Sequence, residues 1–245
     1  MSFWGKVQKL RDKRSPFCTA IVPAAGTSQR MGGENKLFMS LSGVPVLMRT
    51  LCAIDQAELV DEIIVATQEE LLLDVASLCS RCGLHKPVRV IRGGSTRTES
   101  VLAAAVEADP RAELIAVHDG ARPLVRPEDF DEMIRLGERT FAVAPALPVS
   151  DTIKVADMSG LVQSTPERKS LYAVQTPQVF QANILRAALQ AALNSGAELT
   201  DDCGAVERLG KEVYLTPGNP ENIKITTPLD MTIAEGILKH REAQG

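Results

Sequence analysis

Short apolar runs alternate along the chain with longer stretches in which apolar residues recur every three or four positions. The runs cover residues 19–23, 62–67, 88–91, 114–118 and 141–145 and are nearly continuous in Ala, Val, Ile or Leu. Such runs are typical of strands covered on both faces. The stretches between them predict crossover helices over residues 46–57, 69–80, 97–108 and 128–137. This alternation predicts an α/β fold, a mostly parallel sheet flanked by helices.

The pattern fails between residues 147 and 175, where polar residues, Pro148, Pro166 and short alternating pieces predict a β-arm that leaves the sheet. Beyond it, the spacing predicts helices over residues 182–193, 201–209 and 229–241 and strands over 212–215 and 223–225. We expect residues 1–16 to form an N-terminal extension and residues 17–245 to form a single domain that carries the arm.

Composition narrows the class of protein. The chain has 245 residues, 44% of them apolar, which suits one sizeable globular domain. The 27 Lys and Arg against 31 Asp and Glu give a net charge of −4, so no global cationic field favours nucleic acid as a partner. No apolar stretch approaches the ~18 residues of a membrane span, and no secretory signal pattern is present. We therefore expect a soluble, cytoplasmic protein without a membrane partner.

The five cysteines are an odd number in a chain too large to need disulfides, which favours free thiols in a reducing compartment. Cys79 and Cys82 form a C-x-x-C pair that is compatible with a zinc or redox site. No second pair completes a zinc site, and the two residues fall at the polar end of a helical pattern. Two thiols at a helix end are the favoured interpretation.

A loop of small residues follows the first predicted strand, from Pro23 through Ala24, Ala25 and Gly26. Such residues let a backbone approach a ligand closely and turn its N–H groups toward an anion. The dinucleotide and P-loop fingerprints are both absent. Arg30 and Lys36 remain as two cations suited to a triphosphate, one as a planar fork and one as a point charge. The alternative is a tight turn with solvated basic residues.

Asp119 follows the fourth predicted strand, within the segment VHDGARP. A carboxylate at the carboxyl end of a parallel strand lies where α/β sheets bind ligands, and it suits Mg²⁺ or a ribose hydroxyl. The alternative is a cap on the following turn. We interpret His118 as a strand residue with a satisfied ring rather than a general base, since phosphoryl-type transfer depends chiefly on positioning and charge.

The segment GGSTRTES, residues 93–100, follows the third predicted strand and opens a helix. Paired glycines give close access to a flat ligand, with hydroxyl groups and helix-end amides available to read its polar edges. The alternative is a Gly-Gly turn with Thr96 as the N-cap. Arg168, Thr176, Thr200 and the segment 222–224 would each pass singly for solvated surface residues.

Together these motifs resemble one family, 2-C-methyl-D-erythritol 4-phosphate cytidylyltransferase of the non-mevalonate isoprenoid pathway. The resemblance runs from Thr19 to about Ala234 through PAAGTSQRM with Lys36, GGSTRTES, VHDGARP, DTIK, QTPQVF, TDD and NIKITTPLD, in that order. It implies a Rossmann-like nucleotidyltransferase fold with a mostly parallel twisted sheet and a protruding β-arm at about 147–175 that pairs two subunits. Two residues depart from the family pattern: Ser28, where a second loop glycine is frequent, and Ser95, where an acidic residue can occur.

The resemblance also implies roles for individual residues. The catalytic cations around the phosphates would be Arg30, Lys36 and Lys224. Contacts to CTP would come from Pro23, Ala24, Ala25, Gly26, Gly94, Ser95, Ser100 and Asp119, with Asp119 also at the metal. The sugar-phosphate substrate would meet Arg122, Thr176 and Thr200, and, from the arm of a partner subunit, Thr152 and Arg168.

The expected activity is transfer of a cytidylyl group from CTP to 2-C-methyl-D-erythritol 4-phosphate with Mg²⁺ or another divalent cation, in a homodimer. A cytidylyltransferase for ribitol 5-phosphate or another polyol phosphate is the nearest alternative. A nucleotide-binding module without catalysis is the alternative from another class.

Overall fold

The computed structural model describes residues 15–25 and 35–244. Helices of eight or more residues are α1 (Val46–Gln56), α2 (Leu72–Arg81), α3 (Arg97–Glu107), α4 (Pro127–Gly137), α5 (Ala182–Asn194) and α7 (Pro228–Glu242), and α6 (Asp202–Arg208) is shorter. The strands are β1 (Cys18–Pro23), β2 (Ser40–Leu41), β3 (Val44–Pro45), β4 (Glu62–Thr67), β5 (Val88–Arg92), β6 (Leu114–Val117), β7 (Ala142–Pro148), β8 (Val155–Ala156), β9 (Val162–Ser164), β10 (Tyr172–Val174), β11 (Gln178–Gln181) and β12 (Tyr214–Pro217).

Eight strands form the main sheet in the order β10-β7-β11-β6-β1-β4-β5, with β12 paired to β7. The pairs β1–β4, β1–β6, β4–β5 and β7–β12 are parallel, whereas β11 runs antiparallel to both of its neighbours. The predicted mostly parallel sheet is therefore confirmed. Because β1 lies between β4 and β6, the strand order reverses there, and a crevice opens outside the carboxyl ends of β1 and β6.

The core has two layers, one on each face of the sheet. Successive residues of β1 point to opposite faces: Ala20 and Val22 join the cluster built on α1, α2 and α4, while Ile21 joins the cluster built on α3, α5 and α6. Every residue of β4 and β6 is buried. This two-sided burial explains why these strands show no polar alternation.

Local signals account for the helix starts. Thr96 caps α3 and forms a reciprocal capping box with Glu99, whereas α4 begins with Pro127 at its first position. The α7 helix combines both devices, with a Thr227–Asp230 capping box and Pro228. Cys82 caps the end of α2, and all five cysteines are free thiols, in agreement with the interpretation of Cys79 and Cys82 as helix-end thiols.

Three sequence-based predictions of helices or strands need correction, and one strand was missed. Residues 223–225 form no strand, because this segment makes one backbone hydrogen bond to its neighbour, from Ile225 N–H to Ala121 O at 2.8 Å, instead of a ladder. Residues 69–71 form a 3-10 turn before α2 begins. The strand expected at 212–215 lies at Tyr214–Pro217. Strand β11, which carries two glutamines and follows Pro177, was not predicted.

Residues 147–175 were predicted to leave the sheet, but residues 147–148 and 172–174 belong to β7 and β10, which pair in the main sheet. The β8–β9 hairpin lies between these two strands along the chain. Every residue from 150 to 165 is exposed, including Met158, Leu161 and Val162. Within residues 15–25 and 35–244, no helix combines the length and apolar character that a bilayer span requires.

Candidate active site

A cavity of about 300 Å³ opens at the carboxyl ends of β1 and β6, where the strand order reverses. Its lining comes from five parts of the chain: the exit of β1, the segment before the β2–β3 hairpin, the start of α3, the exit of β6 and the loop before α7. The lining residues are Pro23, Ala24, Ala25, Lys36, Leu37, Gly94, Ser95, Thr96, Arg97, Ser100, Asp119, Gly120, Ala121 and Lys224.

The exit of β1 forms one wall. Ala24 N–H donates to Ala66 O at 2.7 Å, which extends the β1–β4 ladder by one residue. The Gln68 side-chain amide then donates to Ala25 O at 2.8 Å. These bonds fix the backbone where the predicted phosphate loop begins. Gly26, Ser28 and Arg30 lie outside the described residues.

Three cationic side chains contact the Asp119 carboxylate. Lys224 Nζ lies 2.9 Å from Oδ2, Arg97 Nη2 lies 3.6 Å from Oδ1, and Arg122 Nε lies 3.5 Å from Oδ2. Burial by itself would raise the pKa of Asp119, but the charges of Lys224, Arg97 and Arg122 hold it well below its ordinary value. Asp119 is therefore an ionised carboxylate that faces cations in the cavity, which favours the ligand-site interpretation over a turn cap.

Lys224 reaches the cavity from a loop that is anchored just before it. The Asn222 side-chain amide donates to Thr176 O at 2.8 Å, and Arg122 Nη1 donates to Asn222 O at 2.7 Å. Gln175 Nε2 donates to the Asn219 carbonyl at 3.0 Å. The loop that carries Lys224 is thus attached to the segment that precedes β11 and to the one that follows β6, although it has no regular secondary structure.

His118 is fully buried behind Asp119, and both ring nitrogens have partners. Nδ1 lies 3.0 Å from Thr176 Oγ1, and Nε2 lies 3.2 Å from Arg122 O. Burial lowers the pKa of His118 to about 4, so the ring is neutral near pH 7. This arrangement confirms the interpretation of His118 as a satisfied strand residue.

The start of α3 corrects the expected role of its amides. Ser95 N–H and Thr96 N–H donate to Glu99 Oε2 at 2.6 and 3.1 Å, and Gly94 N–H donates to Ser100 Oγ at 3.1 Å. These groups already have intramolecular partners and are not available to read a base. Gly94 is required for a different reason: a Cβ there would overlap the Glu99 side chain. Thr96 is the N-cap, as the alternative interpretation held.

The remaining predicted substrate residues do not line the cavity. Arg122 and Thr176 are buried directly behind Asp119, where Thr176 Oγ1 accepts a hydrogen bond from Asp119 N–H at 3.1 Å. Thr200, Thr152 and Arg168 are exposed. The Arg168 guanidinium donates to Ser150 O at 3.0 Å within the arm.

Arg97 and Asp202 are site residues that the sequence reasoning did not single out. Arg97 lines the cavity, and its Nη1 lies 2.7 Å from the buried Asp202 Oδ2. Both residues stood inside motifs that had been recognised, GGSTRTES and TDD. Their pairing across α3 and α6 was not visible, because 105 positions separate them along the chain (202 − 97 = 105).

Fold and site together define the class of protein. An α/β sheet with a cavity at its switch point, lined by two lysines and an ionised carboxylate, has the design of a nucleotidyltransferase.

The comparisons give the particular family. The family model described as IspD, 2-C-methyl-D-erythritol 4-phosphate cytidylyltransferase, matches residues 18–240. A relative of that name from Caldanaerobacter subterraneus subsp. tengcongensis is 41% identical over 223 residues, covering 90% of this chain and 98% of the relative. One from Bacillus cytotoxicus is 42% identical over 221 residues, covering 90% and 97%. The chain belongs to the IspD family.

Solved structures agree with this assignment. The crystal structure of 4-diphosphocytidyl-2C-methyl-D-erythritol synthase from Anaerococcus prevotii superposes with a TM-score of 0.82 at 30% identity, covering 92% of this chain and 97% of that one. The 2-C-methyl-D-erythritol 4-phosphate cytidylyltransferase from Thermus thermophilus gives a TM-score of 0.73 at 30% identity, covering 91% and 99%. The predictions of the family, the fold class, the enzyme class and the activity of non-mevalonate isoprenoid biosynthesis are confirmed.

Proposed function

We propose that the cavity is the place where this chain transfers the cytidylyl group of CTP to 2-C-methyl-D-erythritol 4-phosphate. A phosphate oxygen of the acceptor attacks the α-phosphorus of CTP. The bond from that phosphorus to the bridging oxygen breaks, and pyrophosphate leaves. The observation that carries the proposal is the convergence of Lys36, Lys224 and the ionised Asp119 on one cavity at the switch point.

The roles of the cations follow from the charges of the reactants. The attacking phosphate is already anionic near neutral pH, so the step needs no side-chain base, in keeping with the neutral, fully bonded His118. The obstacle is the repulsion between two polyanions and the charge that accumulates at the α-phosphate. Lys36, Lys224 and Arg30 would offset both by alignment and fixed charge.

The cytidine would lie against the wall made by Pro23, Ala24 and Ala25 on one side and by Gly94, Ser95 and Ser100 on the other. The amides at the start of α3 are engaged, and the Ser95 and Ser100 hydroxyls donate to Glu99 Oε2 and Thr96 O. We therefore expect backbone carbonyls and hydroxyl oxygens to accept from the amino group of the base. A polar group left unpaired by the wrong base is what makes such a site selective. Pyrophosphate release from CTP and UTP at matched concentrations tests this, and equal efficiency would contradict it.

The acceptor would lie toward Arg122, Thr176 and Thr200, with Thr152 and Arg168 supplied by the arm of a second subunit. The exposure of the whole hairpin, including Met158 and Leu161, supports a homodimer, because an arm without a core of its own is stabilised by packing against another surface. The five free thiols support a reducing, cytoplasmic location.

Mg²⁺ fits the residues present. This ion keeps several waters and is usually bound through one or two carboxylates together with substrate phosphates. Asp119 is ionised and lines the cavity, so it would be the protein ligand. In the described part of the chain, no group of three or more His, Cys, Asp or Glu could hold a metal without substrate. A bound divalent cation would supply charge neutralisation at the triphosphate.

The decisive experiment measures pyrophosphate release with CTP and a panel of acceptors that includes 2-C-methyl-D-erythritol 4-phosphate and ribitol 5-phosphate. We expect turnover with the first acceptor and little with the second. Preference for ribitol 5-phosphate would favour the other polyol cytidylyltransferase. Binding of CTP without pyrophosphate formation would favour a non-catalytic module.

A further inference from the structure

Two carboxylates on different elements face the guanidinium of Arg97, the first residue of α3. Its Nη1 lies 2.7 Å from Oδ2 of Asp202, the first residue of α6, and its Nη2 lies 3.6 Å from Oδ1 of Asp119, after β6. The planar guanidinium can present different N–H groups to two acceptors at once, which a point-like ammonium cannot do with the same geometry. Arg97 is therefore a bridge between the cavity and the helix layer behind it.

Burial fixes the position of Asp202, which lies at the end of this bridge away from the cavity. The Asp202 side chain is 1% exposed, compared with 30% for Arg97. A buried carboxylate is costly without a partner, so Asp202 constrains Arg97 to stay beside it. The position of Arg97 in the cavity wall is thus determined by a group that substrates do not reach.

Lys224 is the opposite case. Its ammonium group also contacts Asp119, at 2.9 Å, but the side chain is 40% exposed and extends from a loop. An incoming phosphate competes well for such a cation, because the ammonium is flexible and retains access to the cavity. Of the three cationic side chains on Asp119, Lys224 is the most exposed, at 40%, compared with 30% for Arg97 on Oδ1 and 10% for Arg122 on Oδ2.

We propose that Asp202 and Arg97 are positioning residues for the reaction. Asp202 holds the Arg97 guanidinium against Asp119 Oδ1, which keeps the Asp119 carboxylate oriented after Lys224 leaves it for the phosphates. The inference rests on the proposed roles of Lys224 and Asp119. Lys224 contacts Asp119 before substrate binds, and the Arg97–Asp202 pair prevents the carboxylate from turning when that lysine moves to the phosphates.

The test uses the full chain with the isosteric variant Asp202→Asn. Loss of an orienting partner behind a site group typically lowers activity by ~10- to 100-fold, and we expect that loss in kcat, with the Kd for CTP within about threefold of the parent. The matched control is Glu207→Gln, which removes the same charge from an exposed position of the same helix. The control should keep the parent kcat.

A double variant separates positioning from a general structural effect. If Asp202 acts through Arg97, then Arg97→Met with Asp202→Asn should be no slower than Arg97→Met alone, measured on protein that thermal unfolding shows to be folded at the assay temperature. Multiplicative losses in kcat would overturn the proposal. Arg97→Lys keeps the charge without the fork and should restore part of the activity of Arg97→Met, and no restoration would also count against it.

Turnover of Lys224→Ala separates failure of the positioning proposal from failure of the site assignment. If Lys224→Ala is severely impaired while Asp202→Asn turns over normally, the positioning proposal is wrong and the proposed site stands. Near-normal turnover in Lys224→Ala would instead overturn the site assignment on which the positioning proposal depends.

Discussion

Asp119 together with the residues directly behind it differs from the arm in how its side chains are held. Asp119, Arg122 and Thr176 are buried, and each is bonded to residues from other segments of the chain. Thr152 and Arg168, the residues expected to meet the same substrate from the arm, are exposed. One half of the proposed site is thus positioned by the folding of this chain, and the other half contacts little beyond the arm itself.

This contrast indicates which groups of the proposed site are held in place by the fold of this chain. Groups that must hold charge in a fixed place gain from a rigid, poorly solvated wall, because preorganised electrostatics require no rearrangement during the reaction. An arm with no wall behind it would gain its geometry from a surface on which it packs. If the arm pairs subunits as proposed, recognition of the acceptor should depend on assembly more than binding of CTP does.

The largest effect is expected at the cavity cations. Lys224→Ala and Lys36→Ala should each lower turnover by ~10² to 10³, about 3 to 4 kcal/mol, because each removes a cationic donor to the charge that develops at the α-phosphate. Pyrophosphate release measures the loss, and thermal unfolding should show a retained fold. Near-parent rates in both variants would contradict the assignment. Arg92→Ala, an exposed cation on β5 outside the cavity lining, is the control.

The next effect belongs to the arm. Arg168→Ala should be nearly inactive if its guanidinium serves the neighbouring subunit's cavity. Mixed with Lys36→Ala, it should restore roughly a quarter of the parent activity, since a two-fold dimer of the two variants contains one intact site. Activity that stays at the level of the separate variants, after subunit exchange is demonstrated, would argue against a shared site.

A smaller effect concerns stability behind the cavity. The pKa of His118 is lowered from 6.5 to about 4 in the folded protein, so the unfolded state binds a proton first as the pH falls. The contribution of His118 to the free energy of unfolding is therefore fully present above about pH 6.5. It decreases below that pH, by on the order of 2 kcal/mol at pH 5. Urea unfolding at pH 7.5 and pH 5 measures this change.

His118→Gln removes the titration and should lose less stability over the same pH interval. Replacement of the exposed His240 by Gln serves as the comparison, since its Nε2 lies 2.8 Å from Nε2 of Gln244, which is also exposed. If the parent and His118→Gln respond identically to pH, the buried ring is not the responsible group.

The smallest effect should appear in the arm. Met158→Ser replaces a fully exposed side chain and should change the free energy of unfolding by no more than about 0.5 kcal/mol. If the arm pairs subunits, the same variant should still weaken the dimer, as measured by sedimentation at low protein concentration. A large loss of stability without any change in assembly would show that the arm packs on its own chain.

Much of the fold was predictable because local rules and the global sheet agree. The β4 strand was predicted at its observed bounds, because a short continuous apolar run is typical of a strand that is buried on both faces of a parallel sheet. The start of α3 agrees with the helix predicted from residue 97 and with Thr96 as its N-cap, which the alternative interpretation held. The predictions fail where pairing alone decides the structure. Strand β11 pairs with β6 on one side and β7 on the other. Its two glutamines give no local signal for a strand at that position.

The alternation of strands and helices, the family motifs and the cations Lys36 and Lys224 could be identified from the sequence, because periodicity and motif order are properties of neighbours along the chain. Three relations became visible only in the folded chain: Arg97 bridges Asp119 and Asp202, Glu99 and Ser100 accept hydrogen bonds from the amides of the glycine loop, and Arg122 and Thr176 lie behind the cavity. Those relations join residues from separate elements, and their energies depend on burial and distance, which exist only after the sheet has brought the strand ends together.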